Sequence, residues 1–157
     1  MDGTRPDVGM VPAPLVRLVW RDLWPLLEPA WRRSRDKDDL PAGLAARRLQ
    51  LWAIYEGGMP VAAVVTRLNR HCRPDGMLDC RVWLVGGRGL ARWLPDLLER
   101  LVAWARAEGC ACLSGAGRKG WARIAHRLGC VPAGEEEGDT VWRLALSSRR
   151  PPVSAAG

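Results

Sequence analysis

The chain has 157 residues, with 24 Lys+Arg against 17 Asp+Glu and a formal charge of +7. Length and an ordinary apolar share fit one globular domain with a real core, about 68–70% of its unfolded surface buried, and exclude a wholly disordered chain. Five cysteines are too sparse, and odd in number, for a disulfide mini-scaffold, and no apolar run approaches the length of a membrane-spanning helix.

Residues 1–14 hold three Pro and two Gly and carry acids but no apolar stretch. They read as a flexible lead-in rather than a secretory leader, so a reducing cytoplasmic setting is expected. From Leu15 to Trp31, apolar residues recur at spacings of three and four, the mark of one helical face. Pro25 should start a new turn or kink that helix. A charged break follows at 32–39. Asp38 or Asp39 then caps a second helix over Leu40–Arg48, with Pro41 in its first turn.

The periodicity then changes. Leu49–Tyr55 and Val61–Leu68 are apolar, partly β-branched runs around the turn signal EGGMP, a β-hairpin pattern. Another turn at 71–77 leads to a strand over Leu78–Val85, and GGRGL (86–90) follows directly. Ala91–Glu108 gives the longest helix signal, with Leu90, Leu94, Leu97, Leu101 and Trp104 as its stripe and Gly109 as its stop. Cys110–Ser114 reads as a short strand and Gly120–Leu128 as a short helix. Val131–Gly138 reads as irregular, Thr140–Leu146 as a last strand, and the tail 147–157 as disordered. The hairpin comes first, then β-α-β-α-β, which predicts an α/β (α+β) fold with a mixed central sheet and helices on both faces.

The most informative stretch is WLVGGRGLARW (83–93), where a strand runs through a glycine turn into the longest helix. A helix start exposes unpaired backbone N–H groups and partial positive charge, and glycine lets a phosphate come close. Arg88 and Arg92 add cations able to grip phosphate oxygens. Gly86, Gly87 and Gly89 spell neither a Walker A motif nor G-x-G-x-x-G. The turn thus reads either as a diphosphate site or as a plain strand-to-helix turn.

Other constellations are weaker. Cys110-x-Cys112 with Cys72, Cys80, Cys130, His71 and His126 lacks zinc-ligand spacing, so no metal is expected. Ser114 lacks a G-x-S-x-G context, and no orienting group can be named for a Cys–His pair. The acidic run Glu135–Asp139 reads as an exposed loop or as attraction for a cationic acceptor. Nine Trp and abundant Arg suggest single-stranded nucleic acid, but Trp20, Trp31, Trp93 and Trp104 fall on apolar helix faces, which favours core packing.

On element order, on the strand-turn-helix of 82–106 and on AEGCACLSGAGRKGWARIAHRLGCVPAGEEEGDTVWRLAL (107–146), the chain resembles the GNAT superfamily of acyl-CoA N-acyltransferases over 15–146. The GRKGW block (117–121) is similar to small GNAT-like proteins encoded by phages and prophages. The resemblance implies that Leu84, Val85 and Gly86 hold the pantetheine arm of acetyl-CoA through backbone groups. It implies that Gly87, Arg88, Gly89, Leu90, Ala91 and Arg92 hold the pyrophosphate. Arg118, Lys119 and Trp121 would line the rim of the acceptor pocket. The implied activity is direct acetyl transfer from acetyl-CoA to a primary amine; the alternative is a catalytically inactive GNAT-fold protein used in phage assembly or partner binding, with a homodimer or an assembly partner. Two departures stand out: Ala91 replaces the family's glycine, and Ala125 occupies the position of a tyrosine that serves as general acid in many members.

Overall fold

The computed structural model describes residues 5–69, 78–117 and 120–146. The elements are β1 (Asp7–Val11), a 3-10 turn (Ala13–Leu15), α1 (Val16–Arg33), α2 (Leu40–Ala45), β2 (Leu49–Glu56), β3 (Met59–Asn69) and β4 (Leu78–Gly87), then α3 (Leu90–Ala107), β5 (Cys110–Gly117), α4 (Trp121–Arg127), β6 (Val131–Glu136) and β7 (Asp139–Ala145). The strands form one mixed seven-stranded sheet in the order β1-β2-β3-β4-β5-β7-β6. Two compact units emerge, Met1–Leu68 with Val82–Leu101, and Asn69–Arg81 with Val102–Gly157.

In the first unit, β2 and β3 are antiparallel, with Leu49 opposite Arg67 and Ala53 opposite Ala63. Residues 49–54 and 61–66 are buried without alternation, so both sheet faces are covered. One face packs Leu49, Leu51, Ala53, Ala63 and Val65 against Leu23 and Leu27 of α1 and Leu40 and Leu44 of α2. Each fully buried leucine contributes about 1.5–3 kcal/mol. On the other face, Trp52 Nε1 donates to Thr66 Oγ1 at 3.0 Å and Thr66 Oγ1 donates to Gln50 Oε1 at 2.8 Å, satisfying a buried polar row.

Several segments depart from expectation. The lead-in 1–14 contains β1, antiparallel to β2, with Val8 opposite Ile54 and buried. Flanking prolines and Gly9 hide a five-residue edge strand that only its pairing stabilises. Pro25 does not break α1, which runs on through Pro25 and Pro29 to Arg33. Both prolines lie on the exposed side, so the carbonyls they leave unbonded, Arg21 and Pro25, face water. Lys37 closes the helix: its Nζ donates to the carbonyls of Trp31, Arg32 and Ser34 and sits 4.4 Å from the Trp31 ring centroid. The second helix is capped by Asp39, whose side chain accepts from the Ala42 N–H at 3.0 Å. It ends at Ala45 rather than Arg48, because Arg47 turns left-handed (φ 64°) to start β2.

In α3 the buried stripe is Trp93, Leu97, Leu101 and Ala105 rather than one running through Leu90 and Leu94. Trp93 out-competes the leucines on either side because it buries more apolar area. Of the nine tryptophans, Trp52 and Trp93 are buried and the other seven half-buried.

In the second unit, β5 pairs antiparallel with β7, Ser114 opposite Arg143, and β7 with β6. The segment 131–138, expected to be irregular, supplies β6. Every β6 residue is exposed, so apolar periodicity could not mark it. The expected tail, 147–157, lies outside the described residues.

The tightest backbone contact in the first unit is at Gly86. A Cβ there would sit 1.9 Å from the Leu26 carbonyl oxygen of α1. Gly86→Ala should therefore cost about 1–3 kcal/mol or more as overpacking. Thermal unfolding should shift by at least about 2–4 °C per kcal/mol lost. Gly9→Ala, with nothing within 4 Å of the added carbon, should leave the midpoint within about 1 °C of the parent.

Candidate functional site

The predicted cofactor residues form one continuous strand-to-helix corner. Leu84 is buried, Val85 and Gly86 are half-buried, and Gly87, Arg88, Ala91 and Arg92 are exposed, with Gly89 and Leu90 between these extremes. Gly87 (φ 116°) and Gly89 (φ 76°) both adopt left-handed backbone that a side chain would strain. A Cβ on Gly87 would also meet the Val61 carbonyl oxygen at 2.3 Å. The Arg88 N–H donates to that same Val61 carbonyl at 3.0 Å, and the Arg92 N–H donates to the Gly89 carbonyl at 2.9 Å. The N–H groups of Leu90 and Ala91 precede any intrahelical acceptor, as the first donors of a helix always do.

Trp93 locks this corner from inside. Its indole is 1% exposed, and Nε1 donates to the Arg88 carbonyl at 2.8 Å. The ring thus turns into the core and leaves the outer surface of the turn open. The two expected cations differ. Arg92 forms a two-point pair with Glu56 at 3.0 and 2.7 Å, on a side chain that is 65% exposed. Such an exposed pair contributes only about 0–1 kcal/mol, so an incoming anion can compete for the guanidinium. The Arg88 side chain has no partner among the described residues.

Of the expected acceptor-rim residues, Arg118 and Lys119 lie outside the described residues. Trp121 is half-buried and packs on Gly117, where a Cβ would meet its ring at 2.7 Å. Ala125 is buried in α4, and His126 is exposed. No group of three His, Cys, Asp or Glu that could hold a metal ion exists among the described residues.

Sequence reasoning missed a polar cluster in the second unit. Asp79, 1% exposed, accepts from Ser114 Oγ at 2.6 Å and from Cys112 Sγ at 3.1 Å. Arg81 NH1 reaches Ser114 Oγ at 3.5 Å, and its NH2 pairs with Glu136. Glu136 of the acidic run is therefore engaged rather than merely solvated. The available signal was the carboxylate of LDCRVWLV, an acid set within an otherwise inward-facing strand. Hydrogen bonding satisfies that buried group, as burial of a polar side chain requires.

Nearby, Cys110 is pushed up from 9.0 to about 11 by burial first and by Asp79 second. A thiol whose folded pKa is raised contributes stability that is complete below its unfolded value and is lost as pH rises toward the folded one. Urea midpoints should fall between about pH 8.5 and 11, and fall less steeply in Cys110→Ala. Iodoacetamide at the low end of that window should spare Cys110 in the folded chain and modify it once the chain is unfolded in urea.

No family model and no curated protein sequence matches the chain. Solved structures do. FeeM, an N-acyl amino acid synthase from uncultured soil microbes, superposes with a TM-score of 0.70 over 92% of each chain at 11% identity. The PaiA N-acetyltransferase of Thermoplasma acidophilum, in complex with coenzyme A, gives 0.61 over 89% of this chain and 98% of that one at 7% identity. An agmatine N-acetyltransferase gives 0.62 over 90% and 99% at 15% identity. At these identities the likeness concerns architecture: this chain has the fold of the GNAT N-acetyltransferases.

Proposed function

We propose that the protein binds acetyl-CoA and transfers its acetyl group to a primary amine. The observation that carries this reading is the corner at 87–92. It combines two left-handed glycines, an exposed Arg88 and the opening of an 18-residue helix in a fold shared with a coenzyme A complex. Helix-start N–H groups and a guanidinium suit a pyrophosphate, whose oxygens accept hydrogen bonds and carry charge. Leu84, Val85 and Gly86 lie upstream on the same strand, where backbone amides can hold the pantetheine arm. Arg118, Lys119 and Trp121 remain the proposed acceptor rim.

The chemistry asked of the chain is modest. Amine attack on the thioester carbon breaks the C–S bond and releases a thiolate. Holding the two reactants in line supplies much of the rate without a covalent intermediate. Two of the similar structures point to acceptor classes, an amino acid for FeeM and agmatine for the second acetyltransferase. For this chain, an amine of either kind is the class to assay.

Ala125 favours a second reading, a GNAT-shaped protein that binds partners without catalysis, for example in phage assembly. Calorimetry with acetyl-CoA separates the two. The transferase reading expects saturable heat, and Arg88→Glu should weaken binding about 10–100-fold, the equivalent of about 1.5–3 kcal/mol for a charge-assisted hydrogen bond. Absence of heat at millimolar acetyl-CoA supports the non-catalytic reading, and equal affinity in Arg88→Glu removes the turn from the site.

A further inference from the structure

We propose that Glu56 sets how tightly the glycine corner holds its anion: in the free protein its carboxylate occupies Arg92, and an incoming pyrophosphate takes that guanidinium from it. The proposal rests on the cofactor reading above and names the chain's own competitor for that site.

All the groups concerned lie in the first unit. Glu56 is the last residue of β2, opposite Met59 at the start of β3. Gly57 and Gly58, left-handed at φ 58° and 80°, turn the chain between them. Two residues further along β3, the Val61 carbonyl accepts the Arg88 N–H at 3.0 Å. The turn that carries the carboxylate is thus bonded to the turn proposed to carry the anion. From α3, Arg92 donates through Nε to Glu56 Oε2 at 3.0 Å and through Nη2 to Oε1 at 2.7 Å. Its guanidinium lies over Gly89, where an added Cβ would meet Nη2 at 3.1 Å.

Two parallel N–H···O bonds are how a guanidinium grips a phosphate as well as a carboxylate. Glu56 therefore fills the Arg92 fork in the mode that a pair of phosphate oxygens would use, over the turn itself. The two partners differ in freedom. The Glu56 side chain is 20% exposed and that of Arg92 65%, so the arginine is the half able to swing. Nη1 of Arg92 makes no bond among the described residues, so a phosphate oxygen can engage it before the carboxylate lets go.

An attached carboxylate acts at a high effective concentration, so a singly charged anion in solution gains nothing by replacing it. A pyrophosphate carries more charge and meets the helix-start N–H groups in the same event, so it can. After the exchange the freed carboxylate stays anchored at the end of β2, one negative charge close to another. Both effects act against the bound state. Glu56 thus lowers affinity for acetyl-CoA and equally for the coenzyme A that acetyl transfer leaves behind, which favours product release.

The test is calorimetry of acetyl-CoA with the full chain as parent, Glu56→Gln, Arg92→Gln and the double variant. Glu56→Gln should bind about 3–10-fold more tightly than the parent, since it removes both the competitor and the repelling charge. Damage to the fold loosens a site, so the sign itself separates this role from a structural one. Glu56→Ala should shift affinity in the same direction, and it replaces the glutamine variant should that one lose its folded circular-dichroism signal. Without Arg92 the gain should vanish, so that Arg92→Gln and the double variant agree within about twofold. The proposal is overturned, with the cofactor reading left standing, if Glu56→Gln binds as the parent does or more weakly, or if its gain persists without Arg92. Saturable heat from Glu56→Gln where the parent gives none at millimolar acetyl-CoA supports both. Absence of heat from the parent and from Glu56→Gln overturns both.

Discussion

The end of β4 is where this structure has least freedom. Gly86 leaves no room for a Cβ beside the Leu26 carbonyl of α1, and Gly87 leaves none beside the Val61 carbonyl of β3. Backbone therefore meets backbone on successive residues. The following residue is tied on both sides, its N–H to Val61 and its carbonyl to the Trp93 indole. The anion cradle proposed at 87–92 depends on this clamp. The exposed turn is held to a single shape by contacts made entirely inside the first unit, so its outward N–H groups need no ligand to organise them. Preorganisation of that kind lowers the entropic cost of binding.

This changes what the glycines mean. In the sequence they look like devices for a close phosphate, and that was one of two open readings. In the structure, Gly86 and Gly87 are required by neighbouring backbone, whatever else the turn does, and only Gly89 is glycine chiefly for its left-handed φ. A rigid turn and the proposed phosphate cradle are not rivals here, because the proposal needs a turn that holds its shape. The guanidinium of Arg92 shows the complementary point. Held by Glu56, it is ordered but partly neutralised, so Arg88 carries more of the local positive charge than two arginines side by side suggest.

Legibility followed the strength of local signals. The hairpin of β2 and β3 and the long helix after the glycine turn were readable because burial imposes periodicity over many residues. The order of elements from 15 to 146, and with it the resemblance, came from those strong segments. What stayed hidden was what only pairing creates. β1 is five residues between prolines, and β6 is exposed throughout, so neither carries an apolar pattern. Pro25 and Pro29 misled in the opposite sense. A helix tolerates them when the freed carbonyls face water and Leu23 and Leu27 anchor the inner face, and none of that is visible in a single turn of sequence.

The Asp79 cluster illustrates the harder limit. Asp79 lies more than thirty positions from both Cys112 and Ser114, and no local rule joins it to them. Their association follows from β4 lying next to β5 in the sheet. A carboxylate buried to 1% exposure is costly unless its oxygens are satisfied, and here hydroxyl and thiol donors satisfy them. For stability alone, apolar residues of the same volume would serve as well or better, because a satisfied polar pair gains little net energy over a well-packed one. Retaining an acid, a hydroxyl and a thiol in buried contact is thus not what packing alone selects; what makes it tolerable is that each oxygen of the carboxylate meets a donor.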